Sequence, residues 1–543
     1  MNKIKKVIIA ICLILGISSI FIGTFAYYRI VKTGKIIGNT GSVVFTLKDI
    51  NNNNLNNQTI SLNNGEKVVP GDNGSFTITM DSSGSSVDMY ATLEIDRGNL
   101  PTNLKFYITS DNKTELKKYY SFFEKDKTTS ETLTIYWYWN PYIDDIEDSK
   151  YINKDTLNAT IKVSAHQVSA YAVMKNGYST TNGGTEFWND NYRPNIKTIT
   201  FDNNINDLPL NCTESNLCWD LSESNTQSKK VYGYLTDSGE KDTNSNTLYD
   251  LHIVSKAPIF APSNANKMFY QFTSLTTINF NNNFNTSNVT NMGSMFSGCI
   301  SLTTLDLSGF NTKNVQTMGS MFSSDKNLTE IDLTSLNTKN VTSIASMFSG
   351  CSSLTSLDLT NFNTEKVNNT SYTFSGCSKL QTIDISSFNT INVTNMNYMF
   401  SGCTSLKKLD LKKFNTSNVT TMSTMFNYCK TLETLDLSNF NTSNVTNMNS
   451  IFKNCMSLKT LNINNFNISK VTDLAEAFYN CSTLTTIINI TNPNITNYNN
   501  IFYGSATNDN AKITINYTSN TSTIVDNIIA TKSSGSKITK NQI

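Results

Sequence analysis

Histidine and arginine are almost missing from this chain: its 543 residues include two His and three Arg. Charged residues make up 16% of it, where an ordinary soluble domain carries about 25%. The formal net charge is +1, so no basic stripe exists to neutralise phosphates, which argues against a nucleic-acid partner. Histidine is the usual general base and the commonest metal ligand. His166 and His252 share no sequence context and no H-E-x-x-H motif occurs, so neither an enzyme, a metal nor a cofactor is expected. No LPxTG-like sorting motif and no C-terminal apolar segment appear either. What the chain has in excess is asparagine, 78 residues of it. Such a bias is compatible with prion-like disorder, unless the asparagines recur at a fixed period.

The chain begins with Lys3, Lys5 and Lys6, followed by an uncharged, largely apolar stretch over residues 7–26. This pattern predicts an export signal. The stretch ends in Thr24-Phe25-Ala26, a small-x-small cleavage site, and then Tyr27, Tyr28 and Arg29 form a membrane-interface flank. A cleaved peptide and a retained anchor both stay open, and any membrane contact runs through this segment if it is uncleaved. Cys12 follows Ile11, which is no lipoprotein site. Without residues 1–26 the net charge falls from +1 to −2, because three Lys leave with them. The expected location is extracytoplasmic, at the cell surface or secreted.

Residues 27–175 hold short runs of alternating apolar and polar residues, such as Ser75-Phe-Thr-Ile-Thr-Met80 and Thr132-Leu-Thr-Ile-Tyr-Trp-Tyr-Trp139. Period two with β-branched and aromatic residues predicts an antiparallel β-sandwich. With the export segment, Pro70-Gly-Asp-Asn-Gly74, Asn103-Leu-Lys-Phe-Tyr107 and the Trp137/Trp139 strand, this region resembles the TasA and camelysin group of exported Gram-positive β-sandwich proteins. Residues 176–184, rich in Gly, Ser, Thr and Asn, read as a linker. Residues 185–265 contain the only close cysteine pair, Cys212 and Cys218. In an oxidising exterior these form a local disulfide or remain two free thiols.

A phenylalanine recurs every 26 residues at Phe296, Phe322, Phe348, Phe374, Phe400, Phe426, Phe452 and Phe478, with looser copies at Phe269 and Phe502. About ten units therefore occupy residues 266–503, with a C-terminal cap and tail over 504–543. In one unit Leu302, Leu305 and Leu307 follow L-x-x-L-x-L, which predicts a short strand with Asp306 facing away from its Leu neighbours. Val315, Met318, Met321 and Phe322 follow at the spacing of two helical turns, and Gly298, Gly350, Gly376 and Gly402 stand where such a helix needs a left-handed end. One unit buries too little to fold alone, so the units must stack. The predicted fold class is multidomain: the β-sandwich, then an α/β leucine-rich-repeat solenoid of about ten 26-residue units.

The segments Asn285-Thr-Ser-Asn-Val-Thr-Asn-Met292, Met295-Phe-Ser-Gly-Cys299 and Leu302-Thr-Thr-Leu-Asp-Leu-Ser308 resemble the BspA-type leucine-rich-repeat surface proteins of bacteria. The resemblance implies adhesion at the cell surface, with proteins or glycans of a host or neighbouring cell as partners and no catalytic residues to carry over. The TasA-like region suggests the alternative of a self-associating matrix or fibre subunit, and a camelysin-like metalloprotease is a third reading.

Four files of residues recur in register. Asn311, Asn337, Asn363, Asn389, Asn415, Asn441 and Asn467 are expected to form a corner ladder whose amides satisfy the backbone of adjacent units. Asn288, Asn314, Asn340, Asn392, Asn418 and Asn444 are expected to cap the following helix. Cys299, Cys351, Cys377, Cys403, Cys429, Cys455 and Cys481, interrupted by Asp325, read as buried free thiols, because parallel side chains neither bridge nor converge on a metal. Asp306, Asp332, Asp358, Asp384, Asp410 and Asp436 should face outward on the strand side, either as a solvated ladder or as a binding surface for a cation or a basic partner. Lys407, Lys408, Lys412 and Lys413 form a local basic spot beside it.

Overall fold

The computed structural model describes separate stretches between residues 27 and 175 and, beyond residue 190, all of the chain except residues 225, 226, 228 and 282. The expected export segment (1–26) and linker (176–184) lie outside the described residues. Among the described residues no helix is long and apolar enough to cross a membrane. The chain forms two compact units divided close to residue 172.

The described residues of the first unit form ten strands: β1 (Tyr27–Tyr28), β2 (Gly34–Gly38), β3 (Gly41–Lys48), β4 (Thr59–Ser61), β5 (Asn73–Asp81), β6 (Met89–Asp96), β7 (Leu104–Tyr107), β8 (Tyr119–Phe123), β9 (Ser130–Trp139) and β10 (Asn158–Gln167). They pair antiparallel in two sheets, one ordered β1-β10-β6-β8 with β4 also on β10, the other β2-β3-β5-β9-β7. Alternation decides which side chains meet. On β5 and β9, Ile78, Met80, Ile135, Trp137 and Trp139 are buried and share one cluster with Ala91, Leu93, Phe123 and Ile161 of the other sheet. On the opposite face Thr77 pairs with Thr134 and Thr79 with Thr132, each at 2.9 Å. Gly74 leaves room for the Trp137 indole, since a Cβ there would lie 2.8 Å from its Nε1.

In the second unit a leader sheet precedes the repeats. Its strand Ile196–Asp202 runs parallel to Thr247–Val254 on one side and to Thr277–Asn279, the strand of the first repeat, on the other. The leader thus covers the open end of the array with a strand in the array's own direction. Cys212 and Cys218 are joined in a disulfide, which ties down the loop over Tyr234 and Val254.

The repeats stack in parallel as successive coils. Asn264, Asn291, Thr317, Ser343, Asn369, Asn395, Thr421, Asn447, Asp473 and Asn497 bridge in sequence, each to its counterpart one coil on. The recurring phenylalanines form a continuous ring stack from Phe269 to Phe502, with neighbouring centroids 5.4–6.0 Å apart. At the end of the array, strands Thr485–Ile490, Lys512–Tyr517 and Ile538–Gln542 continue the parallel ladder, and the helix Ser522–Ala530 buries Val525 and Ile528.

The expected helix in each repeat is corrected by the backbone: among the described residues of 264–503 there is none. Met292, Ser294, Phe296 and Gly298 donate their N–H groups to Thr317, Gly319, Met321 and Ser323 of the next coil at 2.8–3.0 Å. Met295, Ser297 and Cys299 donate instead to carbonyls three residues back, at 3.2 Å. The segment is a run of overlapping turns, and alternate N–H groups leave the coil rather than closing a helix. Turns of three residues reproduce the apolar spacing that suggested helix. Two residues per coil take positive φ, Ser294 (52°) and Gly298 (82°) in this one, a geometry that no helix interior accepts. The glycines therefore hold turn positions, not helix ends.

The stack is imperfect near its end. A cavity of about 30 Å³ lies among Ile451, Phe452, Phe478, Ile490 and Ile501, and Ala477 lines it where adjacent coils place Ile451 and Ile501. Ala477→Ile should fill this space and raise stability by about 1 kcal/mol, read as a higher thermal unfolding midpoint; an unchanged or lower midpoint means that the site is already closed.

Candidate functional site

Each coil turns its Leu strand so that Leu faces inward and the intervening polar residues face solvent, as in Ser356–Asp358, where only Leu357 is buried. Asp306, Asp332, Asp358, Asp384, Asp410 and Asp436 are all exposed along this edge. In the parallel ladder Asp358 lies directly beside Asp384, and Asp436 beside Asn462. One carboxylate oxygen of each of five of them closes a local turn. Asp332, Asp358, Asp384, Asp410 and Asp436 accept the N–H of the residue two positions on at 2.9–3.1 Å. Hydrogen bonds from Ser438, side chain first and then backbone, hold Asp436 below the usual carboxylate range. The file thus presents a column of ionisable groups oriented by their own turns. Lys407, Lys408, Lys412 and Lys413 are exposed beside it. Glu433 of the following coil is held low by its hydrogen bond with Lys459, 3.0 Å away, with Lys407 and Lys408 adding to the effect.

The two asparagine files have roles different from those expected. Asn337, Asn363, Asn389, Asn415, Asn441 and Asn467 are exposed, and each Oδ1 accepts the N–H two residues on in its own coil, at 2.9–3.2 Å. Asn311, the first of this file, is half-buried. Among the described residues, the side-chain amides of this file from Asn337 to Asn467 do not join one coil to the next. That task falls to the threonine beside each of them. Thr312, Thr338, Thr364, Thr390, Thr416 and Thr442 are buried, and each Oγ1 accepts the N–H of the next coil's asparagine at 2.7–2.8 Å while donating to its carbonyl at 2.8–3.0 Å. A single hydroxyl oxygen supplies both roles.

The second asparagine file, expected to cap helices, has no helix to cap. Asn314, Asn340, Asn392, Asn418 and Asn444 donate Nδ2 to carbonyls of the preceding coil at 2.7–2.9 Å. The sequence reading missed the threonine file, although an Asn-Thr pair recurs in register from Asn311-Thr312 to Asn441-Thr442.

The cysteines of the third file are free and buried. Each Sγ–H donates to a phenylalanine carbonyl of the preceding coil, at 2.9–3.3 Å. Desolvation pushes the Cys403 and Cys455 thiols up to about 12, so they stay protonated and unreactive. Among the described residues no group of three His, Cys, Asp or Glu could hold a metal ion. His252 stacks on Tyr234, its Nε2 lies 3.0 Å from Thr236 Oγ1, and burial lowers its pKa. It is thus packed as a neutral ring. His166 lies on β10 opposite Tyr90 of β6.

On the turn segments the exposed surface carries tyrosines, of which Tyr372 and Tyr398 stack with centroids 4.3 Å apart.

A family profile described as Mycoplasma protein of unknown function, DUF285, matches residues 263–382, 325–412, 354–434 and 406–517. These overlapping segments run through the stacked coils, so the repeated part of the chain is similar to that family. No curated protein and no solved structure matches the chain.

Two substitutions separate the roles of the threonine and asparagine files. Thr364→Val keeps the shape but leaves the Asn389 N–H and carbonyl without their partner, and should cost about 1–3 kcal/mol. Asn363→Ala, which opens one exposed turn, should cost about 0.5–1 kcal/mol. Urea unfolding of both variants checks the order, and an equal or reversed order contradicts the assignment.

Proposed function

We propose that this protein is an exported bacterial surface protein in which a leucine-rich-repeat solenoid of the BspA type acts as an adhesion surface for proteins or glycans, and in which residues 27–175 form a TasA-like β-sandwich. The observation that carries this reading is the strand edge, where coil after coil offers an oriented, exposed Asp beside Thr, Ser and Lys. A contact repeated at the spacing of parallel strands, about 4.8 Å, suits an extended partner bound through many weak interactions, because linked contacts raise overall affinity without any single strong site. On this reading the chain is not an enzyme, uses no cofactor, and works outside the cytoplasm.

A second reading, a subunit of an extracellular fibre, draws on the parallel sheet that ends in Ile538–Gln542, the last strand of its path. Light scattering of the chain lacking residues 1–26 distinguishes the two: growth of large species with concentration favours the fibre, and a stable monomer favours the adhesin.

Replacing Asp332, Asp358, Asp384 and Asp436 together by Asn retains the turn-closing oxygen and removes the charge. The fold should survive, with an unfolding midpoint close to that of the parent. Binding to surface proteins or glycans on an array should fall at least about tenfold, or about 1.4 kcal/mol. Undiminished binding by this variant would move the contact away from the strand edge.

A further inference from the structure

The cysteine file contains one residue that is not a thiol. Asp325 occupies the position held by Cys299 in the coil before and by Cys351 in the coil after, and it is fully buried. Each member of the file meets two demands from the preceding coil. Its side chain accepts the backbone N–H of the previous member, as the sulfurs of Cys377, Cys403 and Cys429 do from Cys351, Cys377 and Cys403. It also donates a hydrogen to the carbonyl of the previous phenylalanine, as Cys351 does to Phe322 and Cys377 to Phe348, 29 residues back in each case. Ser505 ends the file and keeps the donor role, its hydroxyl bonding to the Phe478 carbonyl.

Asp325 meets the first demand: its Oδ1 accepts the Cys299 N–H at 2.8 Å. The second demand falls on Oδ2, which is buried and has no hydrogen-bond donor facing it. The carbonyl 29 residues back is that of Phe296. An ionised carboxylate only accepts, whereas a protonated one accepts through one oxygen and donates through the other. Of the two forms, only the protonated one has the donor and the acceptor that both demands require.

We propose that Asp325 is carried as a neutral carboxylic acid whose hydroxyl donates to the Phe296 carbonyl, and that loss of this proton as the pH rises is a release point between the second and third coils of the array. The titratable groups that face it along the file are the buried thiols of Cys299 and Cys351, both held protonated by burial. Lys326 and Glu330 of the same coil are exposed to solvent. Among the described residues no cation balances the anion: the influences on the Asp325 carboxyl are desolvation first, which raises its pKa well above the usual value, and then the Cys299 and Gly298 N–H groups, which lower it. A folded pKa above the unfolded one means that the contribution of Asp325 is fully present below the unfolded pKa and is lost as pH rises through the folded pKa.

The test is the thermal unfolding midpoint of the full chain from mildly acid to alkaline pH, compared with Asp325→Asn and Asp325→Cys. Asparagine copies the protonated acid in shape and in its donor and acceptor, and cysteine is the file's own residue, so that one of the two serves if the other fails to fold. The wild-type midpoint should fall on raising the pH more steeply than that of either folded variant, and both variants should match or exceed wild type at neutral pH. Infrared spectra at neutral pH should contain a protonated-carboxyl band that Asp325→Asn lacks. Parallel pH profiles for wild type and variants, or no difference in that band, would overturn the proposal. So would a wild-type midpoint that rises with pH relative to the variants, since it marks a stabilised anion.

Discussion

Everything in the repeated half depends on one constraint: the backbone hydrogen bonds of a coil are completed by the next coil and not within itself. Alternate N–H groups along the turn segment point one coil onward, and a buried N–H or carbonyl left without that partner costs free energy that a 26-residue unit cannot recover by itself. The parallel ladder also places every side chain on its own copy. A residue type survives in a file only if it tolerates an identical neighbour about 5 Å away.

The files are the different solutions to that requirement. Phenylalanine stacks face to face along the core, threonine links coil to coil with one hydroxyl, and cysteine fills a narrow interior position while donating to a carbonyl. Aspartate is tolerated on the strand edge because solvent screens it there. The same residue type inside the cysteine file, at Asp325, has no such screening, and must resolve its charge through protonation. The two environments make one residue type a surface group in one file and a buried acid in the other.

Much of this order is legible in the residues themselves. The 26-residue period, the inward Leu and outward Asp of each strand, the parallel files and the unpaired, buried character of the cysteines follow from spacing, because periodicity fixes which positions coincide when units stack. The turn segment was not legible as such. Overlapping three-residue turns and two turns of helix give the same apolar spacing, and what separates them is whether N–H groups bond within the coil or across it. The second left-handed position, held by Ser320, Tyr372 and Thr424 among others, carries no glycine and so gave no signal.

By itself the sequence determined that the chain repeats, which residues share a file and which faces are apolar, since these depend only on period and composition. Tertiary structure alone decided which atoms meet: that threonine and not its asparagine neighbour joins the coils, that Asn314 and its copies reach backward and do not cap, and that Asp325 lies among thiols without a cation. Those outcomes turn on distances of a few ångströms between residues 25 to 29 positions apart, which a linear pattern does not contain.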